Sequence, residues 1–233
     1  MKEVFAGGPN GGLAVERSAF IRSTYLHLGG AMIGFIVLSA VMQMMGLGKL
    51  MLAALSTSKY MWLAFMGGFM LVGKLASGLA DNAESNQKQL MGLGGYVVAE
   101  ALIFAPLLTL AGMINPEAIP AAGLVTLLLV GGLTWTAFST KTDFSFLGGF
   151  LRIAGMVALG AIIAGVIFGF SLGIWFSAAM VLFAGGCVLK DTSDIIHHYP
   201  ADRPAGAALH LFASIALMFW YVLRILLELS RSK

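Results

Sequence analysis

The sequence predicts an all-α integral membrane protein with seven transmembrane helices in one domain. Three observations predict it. First, 59% of the 233 residues are hydrophobic and 11% are charged, against about 25% charged in a soluble domain. Second, the apolar residues come in long runs, seven of which reach the roughly 20 residues that a helix needs to cross a bilayer. Third, the 30 glycines suit helix packing in lipid, where small residues let backbones approach closely.

Residues 1–24 read as a polar, Gly-rich, flexible tail that ends with Arg17 and Arg22. The membrane domain is expected over 25–229, followed by a short basic tail at 230–233. The first span covers Tyr25–Met45, the second Tyr60–Ala80 and the third Gln89–Met113. Asn115-Pro116-Glu117-Ala118-Ile119-Pro120 then breaks the chain before the fourth span, Ile119–Phe138, because proline interrupts helical hydrogen bonding. Thr142-Asp143 precedes the fifth span, Phe144–Ile163, and can cap its free N–H groups. Residues 150–189 are almost continuously apolar, with Arg152 the one charge. At about 1.5 Å per residue, a stretch this long crosses a hydrocarbon core of about 30 Å twice. It therefore holds the end of the fifth span and most of a sixth, Ala164–Ile196, with Gly169-Phe170-Ser171-Leu172-Gly173 as the turn between them. The seventh span is Gly206–Leu229.

The same composition excludes several functions. The net charge of +3 is spread among loops and forms no basic patch, which argues against a nucleic-acid partner. A lone cysteine, Cys187, permits neither an intrachain disulfide nor a Cys-based zinc site. No cleavable signal peptide is expected. No Ser-His-Asp, HExxH or GxGxxG pattern stands out, so no enzyme and no cofactor are expected. Lys and Arg lie mostly in alternate loops on the side of the N-terminus, which places that terminus in the cytoplasm.

Charge inside a membrane span is costly and calls for a partner or a purpose. Lys74, Glu100, Asp191, Asp194 and Arg224 are such charges. Lys74 and Glu100 lie on consecutive antiparallel spans at depths that permit a contact, or Lys74 can snorkel to the interface. The densest polar stretch is Cys187–Tyr199, which brings Lys190, Asp191, Asp194, His197 and His198 to the end of an apolar run. On a helix, Asp191, Asp194 and His198 share one face, and His210 and Ser214 share a face of the next helix. Three readings stand: a metal site of Asp194, His198 and His210, a structural network joining two helices, and a gate that responds to protons or cations. His210 is expected beside Asp194 or Asp191.

Phe138-Ser139-Thr140-Lys141-Thr142-Asp143-Phe144-Ser145-Phe146-Leu147-Gly148-Gly149-Phe150-Leu151 resembles the T-K-x-D-F-S-F-L-G-G signature of the Bax inhibitor-1 (TMBIM) superfamily. Asp191-Thr192-Ser193-Asp194-Ile195-Ile196-His197 resembles its [DE]-T-S-x-I-I-H helix. Phe20–Tyr25, Val98–Ala101 with Ala105–Leu107, and Ala208–Leu226 are similar to its first, third and last helices. Within the superfamily the chain is most similar to bacterial YccA-like members. The resemblance implies six helices around a central one and a multi-pass protein of the bacterial inner membrane. It implies a pH-sensitive calcium leak, as in some members, with calcium or protons as ligands. It also implies an alternative, modulation of the membrane protease FtsH by contact alone. In the leak members two aspartates, on helices six and seven, share a proton and close the pore. Asp191 falls on the first and Ser214 on the second, so the pair cannot form in the family's way. The expected gate is therefore Asp191 with Asp194, His210 and Ser214 around it, and Asp191 and Asp194 are the candidate calcium ligands. A basic residue on the second helix belongs to the family gate, and Lys74 is its nearest candidate.

Overall fold

The computed structural model describes residues 9–82, 85–140 and 142–231. Over these the chain forms α1 (Pro9–Met44), α2 (Leu47–Ser56), α3 (Lys59–Ala80), α4 (Asn86–Ile114), α5 (Ala118–Ser139), α6 (Leu147–Phe168), α7 (Gly173–His197) and α8 (Pro204–Arg231). A single 3₁₀ turn, Phe144–Phe146, leads into α6. All of the α-helices except α2 are long and apolar enough to cross a membrane, which gives seven spans. Their outer faces carry exposed Trp135, Phe150, Phe168, Trp175 and Leu182, the side chains that lipid covers.

Helix α8 holds the central place and packs against α1, α3, α4, α5 and α7. Helix α4 is enclosed to a similar degree. Small residues allow this closeness: Ala205, Ala207, Ala208 and Ala216 of α8 and Ala101, Ala105 and Ala111 of α4 are all buried. The two helices run parallel. Gln89 Nε2 near the start of α4 donates to the Asp202 carbonyl just before α8 at 2.9 Å, and Asn115 Nδ2 after α4 donates to Ser230 Oγ near the end of α8 at 3.0 Å.

The chain therefore has a polar end and a far end. The polar end collects the first turns of α1, the end of α3, residues 142–146 and the loop 198–203. The far end collects α2, the Asn115–Glu117 connection, the turn at Gly169–Gly173 and the end of α8.

Four boundaries differ from expectation. Helix α1 starts at Pro9, so residues 9–24 are helical where a flexible tail was expected; residues 1–8 lie outside the described residues. The reason is an anchor. Arg17 Nε donates to the Ile196 carbonyl at 2.9 Å and its Nη1 to the Tyr199 carbonyl at 2.5 Å, capping the end of α7, while Phe20 stacks on Tyr199. Helix α2 was not expected; it is too short to cross and packs on α4. Helix α6 runs past Ile163 to Phe168, and α7 starts at Gly173 rather than Ala164. Gly169 caps α6 with φ 76°, the left-handed conformation that favours glycine. The turn is where it was expected, and the apolar run gave no earlier signal to stop. The expected tail 230–233 is partly helix: Ser230 and Arg231 end α8, and residues 232–233 lie outside the described residues.

Candidate functional site

The polar residues of α7 face α8 at the polar end of the bundle. Asp191 lies in the last turns of α7, and its side chain is 14% exposed. Ser214 of α8 donates its hydroxyl to Asp191 Oδ2 at 2.5 Å. Lys190 Nζ reaches Asp194 Oδ2 at 2.6 Å, one helical turn on, and stands 3.4 Å from Asp191 Oδ1. One ammonium thus sits between the two carboxylates expected to hold calcium. Among the described residues no group of three or more His, Cys, Asp or Glu gathers as a metal site.

A second cluster sits nearer the polar end. Asp81 caps the end of α3 and accepts the Tyr199 hydroxyl on Oδ1, while His210 Nε2 lies 3.2 Å from Oδ2. Gly206 lets α8 come this close: a Cβ there would stand 2.5 Å from Asp81 Oδ1 and 2.7 Å from the Ala80 carbonyl oxygen. Burial alone would raise the Asp81 carboxyl. The hydrogen bonds from His210 and Tyr199, with the charges of His210 and Arg203, outweigh it and hold the group below the usual carboxylate range. Burial and the bond to Asp81 push the Tyr199 phenol upward. His210 also lies within electrostatic reach of Asp191.

A third cluster locks the outer rim. Asp143 accepts from the Ser145 backbone N–H at 2.9 Å, as the cap expected from the sequence, and from Ser193 Oγ at 3.0 Å. His198 Nε2 is 2.6 Å from Asp143 Oδ2. The Ser145 N–H and His198 hold the exposed Asp143 carboxyl well below its ordinary value.

A cavity of about 550 Å³ lies between α3, α4, α6 and α8, on the far-end side of the site. Phe170, Ser171 and Leu172 of the turn before α7 line it at that end, and Glu100 and Ser214 line it deeper in. Along α8 it runs from Ser214 to Arg224, about 15 Å at 1.5 Å per residue. Glu100 is 5% exposed, and Tyr96 stands one turn earlier on α4.

Several expectations need correction. The proposed metal set of Asp194, His198 and His210 is dispersed, because each member has another partner: Lys190, Asp143 and Asp81 in turn. His210 hydrogen-bonds Asp81; its link to Asp191 is electrostatic and it does not reach Asp194. Lys74 is exposed, and no contact joins it to the buried Glu100. Arg224 lines the cavity, with Glu228 3.8 Å away. The sequence did not single out Asp81, and it placed Lys190 and Tyr199 in the polar stretch without giving either a role. Asp81 ends an apolar run, a position that reads equally as an ordinary helix cap.

Fold and site together define a class: a seven-span helical membrane protein with a cavity toward one end and a cluster of ionisable side chains toward the other. Over residues 17–232 the chain matches the family of the inhibitor of apoptosis-promoting Bax1, and it belongs to that Bax inhibitor-1 family. It is 35% identical over 108 residues to the uncharacterized protein PA2604 of Pseudomonas aeruginosa, a match that spans 46% of this chain and 48% of that one. The chain thus covers about half the length of that relative.

Proposed function

We propose that the protein is a slow cation leak, with calcium as the cation, closed at Asp191 and regulated by protons. One observation carries the reading. The cavity on the far-end side reaches Ser214, whose hydroxyl holds the Asp191 carboxylate. Beyond that point the path meets groups that titrate or carry charge: Lys190 and Asp194 on α7, His210 on α8, Asp81 at the end of α3 and Tyr199 in the loop. A cation entering this far meets a carboxylate, and its onward path depends on which of these groups is protonated. In this reading the polar end faces the cytoplasm, the membrane is a bacterial inner membrane, and no chemical step is catalysed.

Purified protein in liposomes loaded with a calcium dye tests it across pH. The expected result is calcium flux above empty liposomes that varies with pH, with the variation reduced in Asp191→Asn. Flux no greater than that of empty liposomes, or an unchanged profile in Asp191→Asn, refutes it. Absent flux together with co-purification of an FtsH-type protease supports the alternative, modulation by contact alone.

A further inference from the structure

Glu100 has no role in the plug, yet it is the most deeply buried carboxylate among the described residues, on a span where an unpaired charge is costly. Among the described residues it forms no ion pair with a Lys, Arg or His, and Tyr96 lies one turn earlier on the same cavity wall. The Glu100 side chain lines the cavity.

The rest of that wall is aromatic. Trp62 stacks on Trp220 with ring centroids 6.1 Å apart, Phe104 meets Trp220 edge-on at 5.0 Å, and Phe69 lies 6.0 Å from Tyr96. All five rings line the cavity. Aromatic faces attract cations that come within about 6 Å of the ring centroid, and most strongly where water is excluded. A dehydrated calcium ion needs about six to eight oxygen ligands, which this wall does not gather. A wall of this kind suits a cation that brings its own apolar surface. The cavity volume of about 550 Å³ falls within the range of organic-ligand pockets, about 300–1,000 Å³.

We infer that this cavity binds a lipophilic organic cation, with Glu100 as its counter-charge and the rings of Trp62, Phe69, Tyr96, Phe104 and Trp220 as its cage. The inference stands apart from the leak reading, since it concerns equilibrium binding and needs no flux. Arg224 does not reverse the sign of the site. It lies at the far-end mouth, about 15 Å along α8 from the level of Ser214, and Glu228 sits 3.8 Å from it.

The full chain in lipid nanodiscs, titrated with radiolabelled tetraphenylphosphonium and corrected for empty nanodiscs, tests this. The isosteric anion tetraphenylborate is run in parallel. Saturable binding of the phosphonium is expected, weakened about tenfold or more in Glu100→Gln, partly kept in Glu100→Asp, and unchanged in Glu117→Gln, an exposed acid. Trp62→Ala, at a partly exposed ring, is expected to weaken binding about fivefold, and it keeps the test open if the Glu100 variants fail to fold. Three results overturn the inference: binding no greater than to empty nanodiscs, equal binding by wild type and both the Glu100→Gln and Trp62→Ala variants, or tetraphenylborate bound as tightly as the phosphonium.

Discussion

Gly206→Ala tests how the plug is held. A Cβ at this position would stand 2.5 Å from Asp81 Oδ1, 2.7 Å from the Ala80 carbonyl oxygen and 2.8 Å from the Tyr199 hydroxyl. Comfortable contacts begin near 3.5 Å, so about 0.7–1 Å of clearance is missing. None of the three atoms yields cheaply: one is backbone, and the other two are bonded to each other. The first turn of α8 must therefore move off the end of α3. Overpacking of this kind costs about 1–3 kcal/mol, and a weakened hydrogen bond to the Asp81 carboxylate adds about 1 kcal/mol. Alanine's higher helix propensity returns at most about 1 kcal/mol, and less in a first turn. The net expectation is a loss of about 1–3 kcal/mol. Gly67→Ala is the control: it lies in α3 with nothing within 4 Å of its Cβ, and should be neutral or stabilised by up to about 1 kcal/mol. Thermal unfolding in detergent, followed by tryptophan fluorescence, should show Gly206→Ala several degrees below wild type and Gly67→Ala at or above it. A Gly206→Ala protein as stable as the Gly67→Ala control would refute the tight contact and the plug geometry built on it.

Arg17→Ala removes two charge-assisted donors to the Ile196 and Tyr199 carbonyls; it should cost about 2 kcal/mol, read by the same unfolding assay, and an unchanged transition would return residues 9–24 to the status of a tail. Asp81 has a depressed folded-state value, so its contribution is complete above its unfolded value of about 3.9 and is lost as pH falls through the folded value. Tyr199→Phe removes one of the bonds that depress it, so stability should fall less steeply below about pH 4 than in wild type; an identical acid limb counts against the Tyr199–Asp81 bond. Asp143 is depressed in the same direction, so Asp143→Asn should also flatten the acid limb below about pH 4, read by the same unfolding assay run against pH; an unchanged limb counts against the rim contacts of Asp143.

Much of this fold was legible because lipid imposes a simple rule: a spanning helix is an apolar run of fixed length. The seven spans and the turn at Gly169–Gly173 follow from that rule. The start of α1 does not, because residues 9–24 are ordered by contacts that no run length encodes, with Arg17 and Phe20 gripping a loop almost two hundred residues away in the chain. Helix α2 escaped for the opposite reason, being apolar yet too short to count as a span. At the site, Asp191 and Ser214 do meet, as their similar distances from the one connecting loop, eight residues before it and ten after, allow. His210, expected beside Asp194 or Asp191, hydrogen-bonds Asp81 and keeps only an electrostatic link to Asp191, because α3, a third helix, ends beside α8. A two-helix construction from sequence contains no third helix. Asp143 was visible as a cap, while its second role as the partner of Ser193 and His198 joins the two longest sequence motifs across the rim.

The plug and the cavity are consecutive parts of one stripe on α8. Gly206, His210, Ser214, Leu217, Tyr221 and Arg224 follow one another at spacings of three and four, so they share a face of the helix. The first two meet Asp81 of α3, the third meets Asp191 of α7, and the last four, Ser214 among them, line the cavity. Ser214 belongs to both parts, which makes it the junction between them. Side chains on a helix move together when the helix turns about its axis. A rotation of α8 that draws His210 from Asp81 must also displace Ser214 from Asp191 and shift the cavity wall. The contact at Gly206 opposes that rotation at one end, and the bond between Ser230 and Asn115 opposes it at the other. Within the proposed leak, this couples the groups that respond to protons to the groups that meet the cation, through one rigid element and without any change of fold.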